Sequence, residues 1–142
     1  MGREASTRVK ILLTGCGYWG EKLGEKLSKL VDTVGFYDSD RAKALSLCKQ
    51  VETEKTKYVV YHFPQELLGF DAVAIAAPSA AHYEIAKTCL EAGKHVLVEK
   101  PMTLDYSQAV ELDFVQCPRF LAWRLPFGLL SPSSDFVRFH YP

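Results

Sequence analysis

The sequence predicts an α/β fold built as a doubly wound parallel sheet, and three observations support this prediction. Short apolar runs alternate with amphipathic segments from residue 9 to residue 113. A glycine-rich turn, Gly15–Gly20, directly follows the first apolar run and opens the first amphipathic segment. The 142 residues are 48% apolar and 24% charged, a globular composition that excludes disordered, collagen-like and coiled-coil proteins.

The first part of the chain is predicted to form two strand–helix units. Val9–Thr14 is a nearly continuous apolar run, which is typical of a strand buried in a parallel sheet. An amphipathic helix follows, because apolar residues recur every three or four positions between charged ones. Thr33–Tyr37 is the second predicted strand and Asp40–Gln50 the second helix. The apolar positions of the two helices are Trp19, Leu23, Leu27, Leu30, Ala44, Leu47 and Cys48.

The same alternation continues as far as residue 98. A weak third strand, a short helical turn, a fourth strand, a third helix and a fifth strand are predicted at Lys57–Tyr61, Pro64–Leu68, Ala72–Ala76, Ser79–Glu91 and His95–Val98. Ser79 is a natural N-cap for the third helix, and Gly93 is a natural stop. The buried stripe of this helix is predicted to be Ile85, Ala86, Cys89 and Leu90. Right-handed crossovers between such strands place ligand sites at their carboxyl ends.

Composition divides the chain into three segments. We predict a disordered N-terminus over residues 1–8, the α/β domain over residues 9–117, and a tail rich in proline and aromatic residues over residues 118–142. One strand, Phe120–Leu125, is predicted in the tail before irregular chain. The tail is interpreted as a docking segment or as a sequence that lacks its proper continuation.

Charge and cysteine spacing exclude several classes of protein. Seventeen basic residues balance seventeen acidic ones, so nothing favours nucleic acid or a membrane surface as a partner. The sequence has neither a membrane-spanning apolar run nor a signal peptide, which predicts a cytoplasmic protein. The cysteines show no CxxC motif and no histidines at zinc-ligand spacing, so we predict reduced thiols and no metal site. They are Cys16, Cys48, Cys89 and Cys117.

The strongest motif is Gly-Cys-Gly-Tyr-Trp-Gly at residues 15–20. In a dinucleotide-binding turn, Gly15 allows the tight turn, Gly17 lets a pyrophosphate approach the backbone, and Gly20 lets helix and strand pack closely. The helix N-terminus adds N–H donors and partial positive charge. The alternative is a glycine-rich turn without a ligand, but the flanking strand and helix favour a dinucleotide-binding domain of the Rossmann type.

Asp38 ends the second predicted strand, eighteen residues after Gly20. A carboxylate at this position accepts hydrogen bonds from the adenosine ribose hydroxyls. Because it repels a 2′-phosphate, it favours NAD over NADP, and the nearby Arg41 softens this preference. The alternative is an ordinary strand-end or helix-capping carboxylate.

Two more strands end in polar residues. Pro78 and Ser79 follow the fourth strand, and His82 lies in the first turn of the next helix, where it either faces the cofactor or bonds the local backbone. Glu99 and Lys100 follow the fifth strand. Lys100 is placed to hydrogen-bond a substrate hydroxyl or to stabilise an oxyanion, with Glu99 ordering it. The alternative is a solvated Glu–Lys pair.

These motifs together resemble the N-terminal domain of the glucose-fructose oxidoreductase, inositol dehydrogenase and MocA (Gfo/Idh/MocA) family over about residues 9–113. The segment from Glu-Ala-Gly-Lys-His-Val at residue 91 to Glu-Lys-Pro at residue 101 is the most specific part. The resemblance implies an NAD(P)-dependent oxidoreductase. Complete members transfer hydride between the cofactor and a hydroxyl-bearing carbon of a sugar, cyclitol or sugar nucleotide.

The resemblance also implies individual roles. The residues implied to bind the cofactor are Gly15, Gly17, Tyr18, Trp19, Gly20, Asp38, Pro78, Ser79, His82, Glu99 and Lys100. Tyr18 and Trp19 lie near the cofactor phosphates or the nicotinamide. Lys100 is implied to contact the substrate hydroxyl and to take part in catalysis, and its bond to Pro101 is often cis in the family.

The chain also departs from the family pattern. Ala77 and Ser79 stand where the family has threonine and asparagine, and the family's substrate domain is missing. Asp135 and His140 do not match the aspartate and histidine of that domain. We therefore expect a fragment, a variant or a natural half-protein that binds NAD with little or no turnover. The alternative is a non-catalytic NAD-binding module that docks on a partner or forms a homo-oligomer through its aromatic tail.

Overall fold

The structure is a computed structural model that describes residues 8–115 and 120–122. In these residues the strands are β1 Lys10–Thr14, β2 Thr33–Tyr37, β3 Thr56–Val59, β4 Ala72–Ile75, β5 His95–Val98 and β6 Phe120–Ala122. The α-helices are α1 Tyr18–Leu30, α2 Arg41–Gln50, α3 Ser79–Glu91 and α4 Tyr106–Phe114, and a short 3₁₀ helix covers Gln65–Gly69.

The strands form one sheet in the order β3-β2-β1-β4-β5-β6, and every neighbouring pair is parallel. This confirms the predicted doubly wound parallel sheet. Thr14 pairs with Tyr37 on one side and with Ile75 on the other, and Ile75 pairs with Val98. The carboxyl ends of four strands therefore lie level along one edge. The strand order reverses between β1 and β4, which is where such sheets bind ligands.

The core lies in two layers, one on each face of the sheet. Successive side chains of a strand point to opposite faces, so Leu12 of β1 packs in one layer and Leu13 in the other, both fully buried. The first layer includes Ala86 and Leu90 of α3, and the second includes Leu47 of α2. Helices on both faces explain why the central strands β1 and β4 bury apolar residues on both of their faces.

The predicted apolar face of α1 is wrong at two positions. Trp19 is 46% exposed and Leu30 is 76% exposed. The buried positions of the helix are Gly20, Gly24, Leu27 and Ser28. A Cβ atom at Gly24 would lie 3.1 Å from Cε1 of Phe36 on β2, so the missing side chain lets the helix sit close to the sheet. The contact face thus combines small residues with Leu27, and sequence periodicity identified only the latter.

Helix starts also differ from the prediction. Pro78 occupies the N-cap position of α3, and Ser79 is the first helical residue and makes no capping bond. His82 takes the buried position that we predicted for Ile85, which is only partly buried. Helix α2 starts one residue later than predicted because Asp40 is its N-cap, accepting a hydrogen bond from the Ala42 N–H group at 3.0 Å.

The strand bounds shift by one or two residues. Strand β3 ends at Val59 instead of Tyr61, because the Tyr61 N–H group turns to the Glu66 carboxylate at 3.1 Å. Strand β1 starts at Lys10 and β4 ends at Ile75. The short helical turn is confirmed one residue later than predicted.

Several predictions extend past the described residues. Cys16, Cys48 and Cys89 are free thiols, as predicted. Cys117, residues 1–7 of the predicted disordered segment and residues 123–142 of the predicted tail lie outside the described residues. Strand β6 covers the first half of the predicted sixth strand and pairs with β5. In the described part of the chain, no helix is both long and apolar enough to cross a membrane.

Candidate functional site

A cleft of about 650 Å³ opens at the carboxyl ends of the central strands. Every residue that we predicted to bind a cofactor lines it, with the exception of Gly20. These residues are Gly15, Gly17, Tyr18, Trp19, Asp38, Pro78, Ser79, His82, Glu99 and Lys100. They come from the segments that follow β1, β2, β4 and β5, so the level strand ends bring together residues up to 85 positions apart in the chain.

The three glycines of the first turn differ in their surroundings. Gly15 has a φ of +90°, and a Cβ atom there would lie 2.4 Å from the backbone nitrogen of Ala77. A Cβ atom at Gly20 would lie 2.0 Å from the Gly15 carbonyl oxygen. At Gly17, by contrast, an added Cβ atom meets nothing within 4 Å. Packing explains the first and third glycines, and the second opens onto free space in the cleft.

Helix α1 begins at this free space. Gly17 is its N-cap, and no side chain among the described residues caps the helix. The first-turn N–H groups of a helix have no partners within the helix, and the helix dipole adds partial positive charge there. Tyr18 and Trp19 flank the opening with their rings in an edge-to-face contact, 5.3 Å between centroids. This N-terminus is therefore suited to an anionic group.

Asp38 has a defined set of partners next to the glycine turn. Its Oδ2 atom accepts a hydrogen bond from the Cys16 N–H group at 2.8 Å, and its Oδ1 atom accepts one from the Asp40 N–H group at 2.8 Å. The side chain is half-buried and lines the cleft. Asp38 therefore bonds backbone N–H groups and faces the cleft, and its contact with a ribose stays a prediction.

Cys16 lies beneath the cleft and is almost completely buried, at 3% exposure. Its Sγ atom donates a hydrogen bond to the Tyr37 carbonyl oxygen at 3.4 Å. Burial, together with the negative charge of Asp38, raises the pKa of this thiol to about 12. Cys16 is therefore a protonated, inert residue that supports the turn.

Sequence analysis missed several residues that line the cleft beyond β2. Tyr37 and Phe63 stack with 5.1 Å between ring centroids, and both line the cleft together with Lys43. Arg41, which we expected near a 2′-phosphate, has its guanidinium 4.3 Å from the Tyr61 ring centroid and does not line the cleft. Tyr37 ends β2 and Phe63 follows β3, and they meet because these two strands are neighbours in the sheet. The order of the strands is therefore the signal that could have indicated this aromatic pair.

His82 is buried in the wall of the cleft, at 1% exposure. Its Nδ1 atom lies 2.7 Å from the Pro101 carbonyl oxygen, and its Nε2 atom lies 2.8 Å from the Ala77 carbonyl oxygen. Both ring nitrogens are thus occupied by backbone. His82 therefore bonds backbone, as in the second interpretation, and it also borders the cleft, while a contact with the cofactor stays a prediction.

Glu99 and Lys100 reach the cleft from the end of β5. The Glu99 N–H group donates to the Ile75 carbonyl oxygen at 3.0 Å, which ties the turn to β4. The two side chains form no salt bridge with each other, since Lys87–Glu111 is the salt bridge found within the described ranges. Lys100 is exposed, and its peptide bond to Pro101 is cis.

Metal-ligating residues do not cluster in the part of the chain that the structure covers. No group of three or more His, Cys, Asp or Glu side chains is placed to hold a metal ion there. Asp135 and His140 lie outside the described residues. The cleft is built from backbone N–H groups, carboxylates, amines and aromatic rings, which is the chemistry of a nucleotide site.

Residues 9–114 match the family profile described as an oxidoreductase family with an NAD-binding Rossmann fold. The chain is 34% identical to an uncharacterized oxidoreductase of Synechocystis sp. over 115 residues, covering 79% of this chain and 30% of the relative. It is 31% identical over 107 residues to an inositol 2-dehydrogenase/D-chiro-inositol 3-dehydrogenase of Lactiplantibacillus plantarum, covering 73% and 31%.

A third relative is the UDP-N-acetylglucosamine 3-dehydrogenase of Acidithiobacillus ferrooxidans. It is 29% identical over 98 residues, covering 67% of this chain and 29% of the relative. The chain thus spans between 29% and 31% of the length of these three relatives.

Solved structures share the fold. A crystal structure of the same Acidithiobacillus enzyme has a TM-score of 0.66 at 24% identity, covering 76% of this chain and 35% of that one. GenD2 from gentamicin A biosynthesis, solved in complex with NAD, has a TM-score of 0.67 at 23% identity, covering 86% and 36%. At these identities, the likeness shows the fold.

Proposed function

This chain belongs to the Gfo/Idh/MocA oxidoreductase family and carries its NAD-binding domain, and from this premise we propose that its cleft holds NAD for hydride transfer at a hydroxyl-bearing carbon. The relatives are about three times as long as the matched region. We therefore propose that the complete oxidoreductase activity uses residues beyond this region. The cytoplasmic location predicted from the sequence is part of the same proposal.

The free space at Gly17 carries this proposal. A glycine costs conformational entropy, and the backbone angles at Gly17, φ −83° and ψ −158°, do not require one. Packing does not require one either, since an added Cβ atom meets nothing within 4 Å. A ligand backbone that approaches closely does require one, and the adjoining uncapped helix N-terminus fits the pyrophosphate of a dinucleotide.

The adenosine side of the cofactor is assigned to the cleft beyond β2. Asp38 is held in place by its two backbone bonds and is proposed to accept hydrogen bonds from the ribose hydroxyls. Its negative charge favours NAD over NADP. Lys43, which lines the same part of the cleft, moderates this preference instead of Arg41, whose guanidinium lies over Tyr61.

The nicotinamide side is assigned to the turns after β4 and β5. Pro78, Ser79 and Glu99 are proposed to line the cofactor here, with Tyr18 and Trp19 opposite. When bound, the nicotinamide ring accepts or donates the hydride. Lys100 is the proposed catalytic residue, because its ammonium group donates a hydrogen bond to the substrate oxygen and stabilises the negative charge that develops there.

The proposed substrate is a polyol, sugar or sugar nucleotide, in keeping with the names of the inositol and UDP-sugar dehydrogenases among the relatives. Positioning of the substrate against the cofactor supplies much of the rate in such reactions. Since Lys100 is the one catalytic residue that we assign, we expect the 142-residue chain to bind NAD(H) with little or no turnover. The alternative docking or dimerising module depends on residues 114–142, most of which lie outside the described residues.

Calorimetric titration of the full chain with NAD, NADH and NADP tests the proposal. We expect binding of the NAD forms, and a loss of affinity of about tenfold or more in Gly17→Ala, because the methyl group occupies the space of the pyrophosphate. The matched control is Gly69→Ala, where the added Cβ atom would lie 3.9 Å from the Tyr58 hydroxyl oxygen, outside the cleft.

Two results would overturn the assignment of the cofactor site, and a third would refute the expected lack of turnover. A folded wild-type chain that binds none of the three dinucleotides would refute the cofactor site. Equal affinities of Gly17→Ala and Gly69→Ala for NADH would show that the ligand does not approach the glycine turn. Rapid oxidation of a polyol by the chain alone would refute the expected lack of turnover.

A further inference from the structure

We propose that His82 is a positioning residue: its ring lies between two backbone carbonyl groups, ties the Lys100–Pro101 turn to the end of β4 and so fixes Lys100 at the cleft. This inference rests on the proposed cofactor site, because it explains how that site is held. It concerns contacts that form in the chain itself, before any ligand binds. It can therefore be tested separately from cofactor binding.

The geometry gives His82 two partners in different segments. The Pro101 carbonyl oxygen lies 2.7 Å from Nδ1, and the Ala77 carbonyl oxygen lies 2.8 Å from Nε2. These two carbonyl groups are 24 residues apart in the chain and follow two neighbouring strands, β5 and β4. The ring is 1% exposed, so solvent does not compete for either nitrogen.

The two partners of the ring are both hydrogen-bond acceptors. A carbonyl oxygen only accepts hydrogen bonds, and a buried acceptor that loses its bond costs free energy. Both ring nitrogens lie less than 3 Å from such an oxygen, so the ring is held between the turn after β4 and the turn after β5.

The two bonds connect the parts of the cleft that the proposed function uses. Ala77 packs against the glycine turn, since a Cβ atom at Gly15 would lie 2.4 Å from the Ala77 nitrogen. Pro101 directly follows Lys100, which forms no salt bridge within the described ranges. The bond from His82 to the Pro101 carbonyl oxygen is therefore a direct restraint on the turn that carries Lys100. The other restraints on this turn are the Glu99 bond to β4 and the packing of Met102 against the core.

Nitrogen-15 NMR of histidine-labelled full chain tests the contact without any cofactor. We expect the ring N–H proton of His82 to be protected from exchange with solvent, with the signal assigned by its loss in His82→Gln. A His82 ring proton that exchanges as fast as that of His95, which is exposed on β5, would overturn the hydrogen bond.

Hydrogen exchange and NADH affinity test the positioning role. His82→Phe keeps a planar ring without donors, and we expect faster amide exchange over residues 99–103 than in the wild type, with exchange in α2 unchanged. NADH affinity should fall by about tenfold or more. His82→Gln retains an N–H donor for one carbonyl group and should recover part of both effects, and His95→Gln should change neither.

These readouts separate the two proposals. If His82→Phe shows wild-type exchange over residues 99–103, the positioning role is refuted. If the wild-type chain fails to bind NADH but amide exchange in His82→Phe changes as expected, the proposed function fails and the tie made by His82 stands. If His82→Phe does not fold, the comparison of wild type with His82→Gln decides the question.

Discussion

The three glycines of the first turn have different physical surroundings. Gly15 needs a positive φ, and Gly20 needs the absence of a Cβ atom against the Gly15 carbonyl oxygen. Gly17 needs neither, and the proposed cofactor is the reason that we give for it. The spacing of the three glycines in the sequence was enough to predict the turn. The different reason for each glycine emerges only from the packing around it.

Asp38→Asn tests the proposed preference for NAD. The neutral amide repels a 2′-phosphate less and forms a weaker bond to the ribose, so NAD affinity should fall by about tenfold and NADP affinity should fall less or rise. Parallel titrations with NADH and NADPH measure the ratio. Lys43→Ala is the companion variant, and it should weaken NADPH more than NADH. An unchanged ratio in both variants would contradict the assignment of this subsite.

The buried thiols predict a loss of stability in alkali. Burial raises the pKa of Cys16 and Cys89 to about 12, from an ordinary value of 9.0. Between these pH values, the unfolded chain releases the two protons and the folded chain keeps them, so the free energy of unfolding falls as the pH rises. Urea unfolding measures this free energy between pH 8.5 and pH 11, about the range of this titration. The free energy of unfolding should fall less steeply with pH in the Cys16→Ala/Cys89→Ala variant than in the wild type. Equal slopes would contradict the prediction.

At the scale of elements, the existence and order of the helices and strands were easier to predict than the helix faces that contact the sheet. The periodicity of α1 correctly indicated a helix, but Trp19 and Leu30 lie on its exposed side. The helix approaches the sheet through Gly20 and Gly24 because close packing favours small residues. Hydrophobic periodicity measures which residues avoid water on average, and it does not report how closely two elements approach.

Helix capping gives a prediction at the same scale. Asp40 caps α2 through its bond to the Ala42 N–H group, so Asp40→Ala should lower the free energy of unfolding by about 1 kcal/mol. Ser79 makes no capping bond in α3, so Ser79→Ala should change it by less than about 0.5 kcal/mol. Urea denaturation of both variants measures the difference. A larger loss in Ser79→Ala would mean that Ser79 is the cap after all.

At the scale of the whole molecule, the level ends of four parallel strands create the site. Residues from five connections meet there, and those after β1, β2, β4 and β5 carry the polar groups of the cleft. The strand order places the glycine turn after β1 beside the turn after β4, at the point where the order reverses. The site therefore depends on the complete sheet and is lost when any of its central strands is disrupted.

Because the site forms only in the folded chain, the cofactor should stabilise the whole domain. At a NADH concentration of about 100 times Kd, linkage adds about 2.7 kcal/mol, a rise in Tm of about 10 °C for a domain of this size. Thermal unfolding monitored by circular dichroism measures the shift. Gly17→Ala should reduce it at the same NADH concentration, whereas Gly69→Ala should not. A Tm that is independent of NADH would contradict the proposed binding.

The sequence by itself determined the fold class, the order of the elements and most of the residues of the candidate site. Local signals are enough for these: a glycine turn after an apolar run, an acidic residue at a strand end, and a lysine after the fifth strand. Only the tertiary structure decided that Tyr37, Phe63 and Lys43 join the cleft, that Arg41 does not, and that His82 bonds two carbonyl groups from different segments. These contacts join residues that strand order and register bring together, and no local pattern encodes the distance between them.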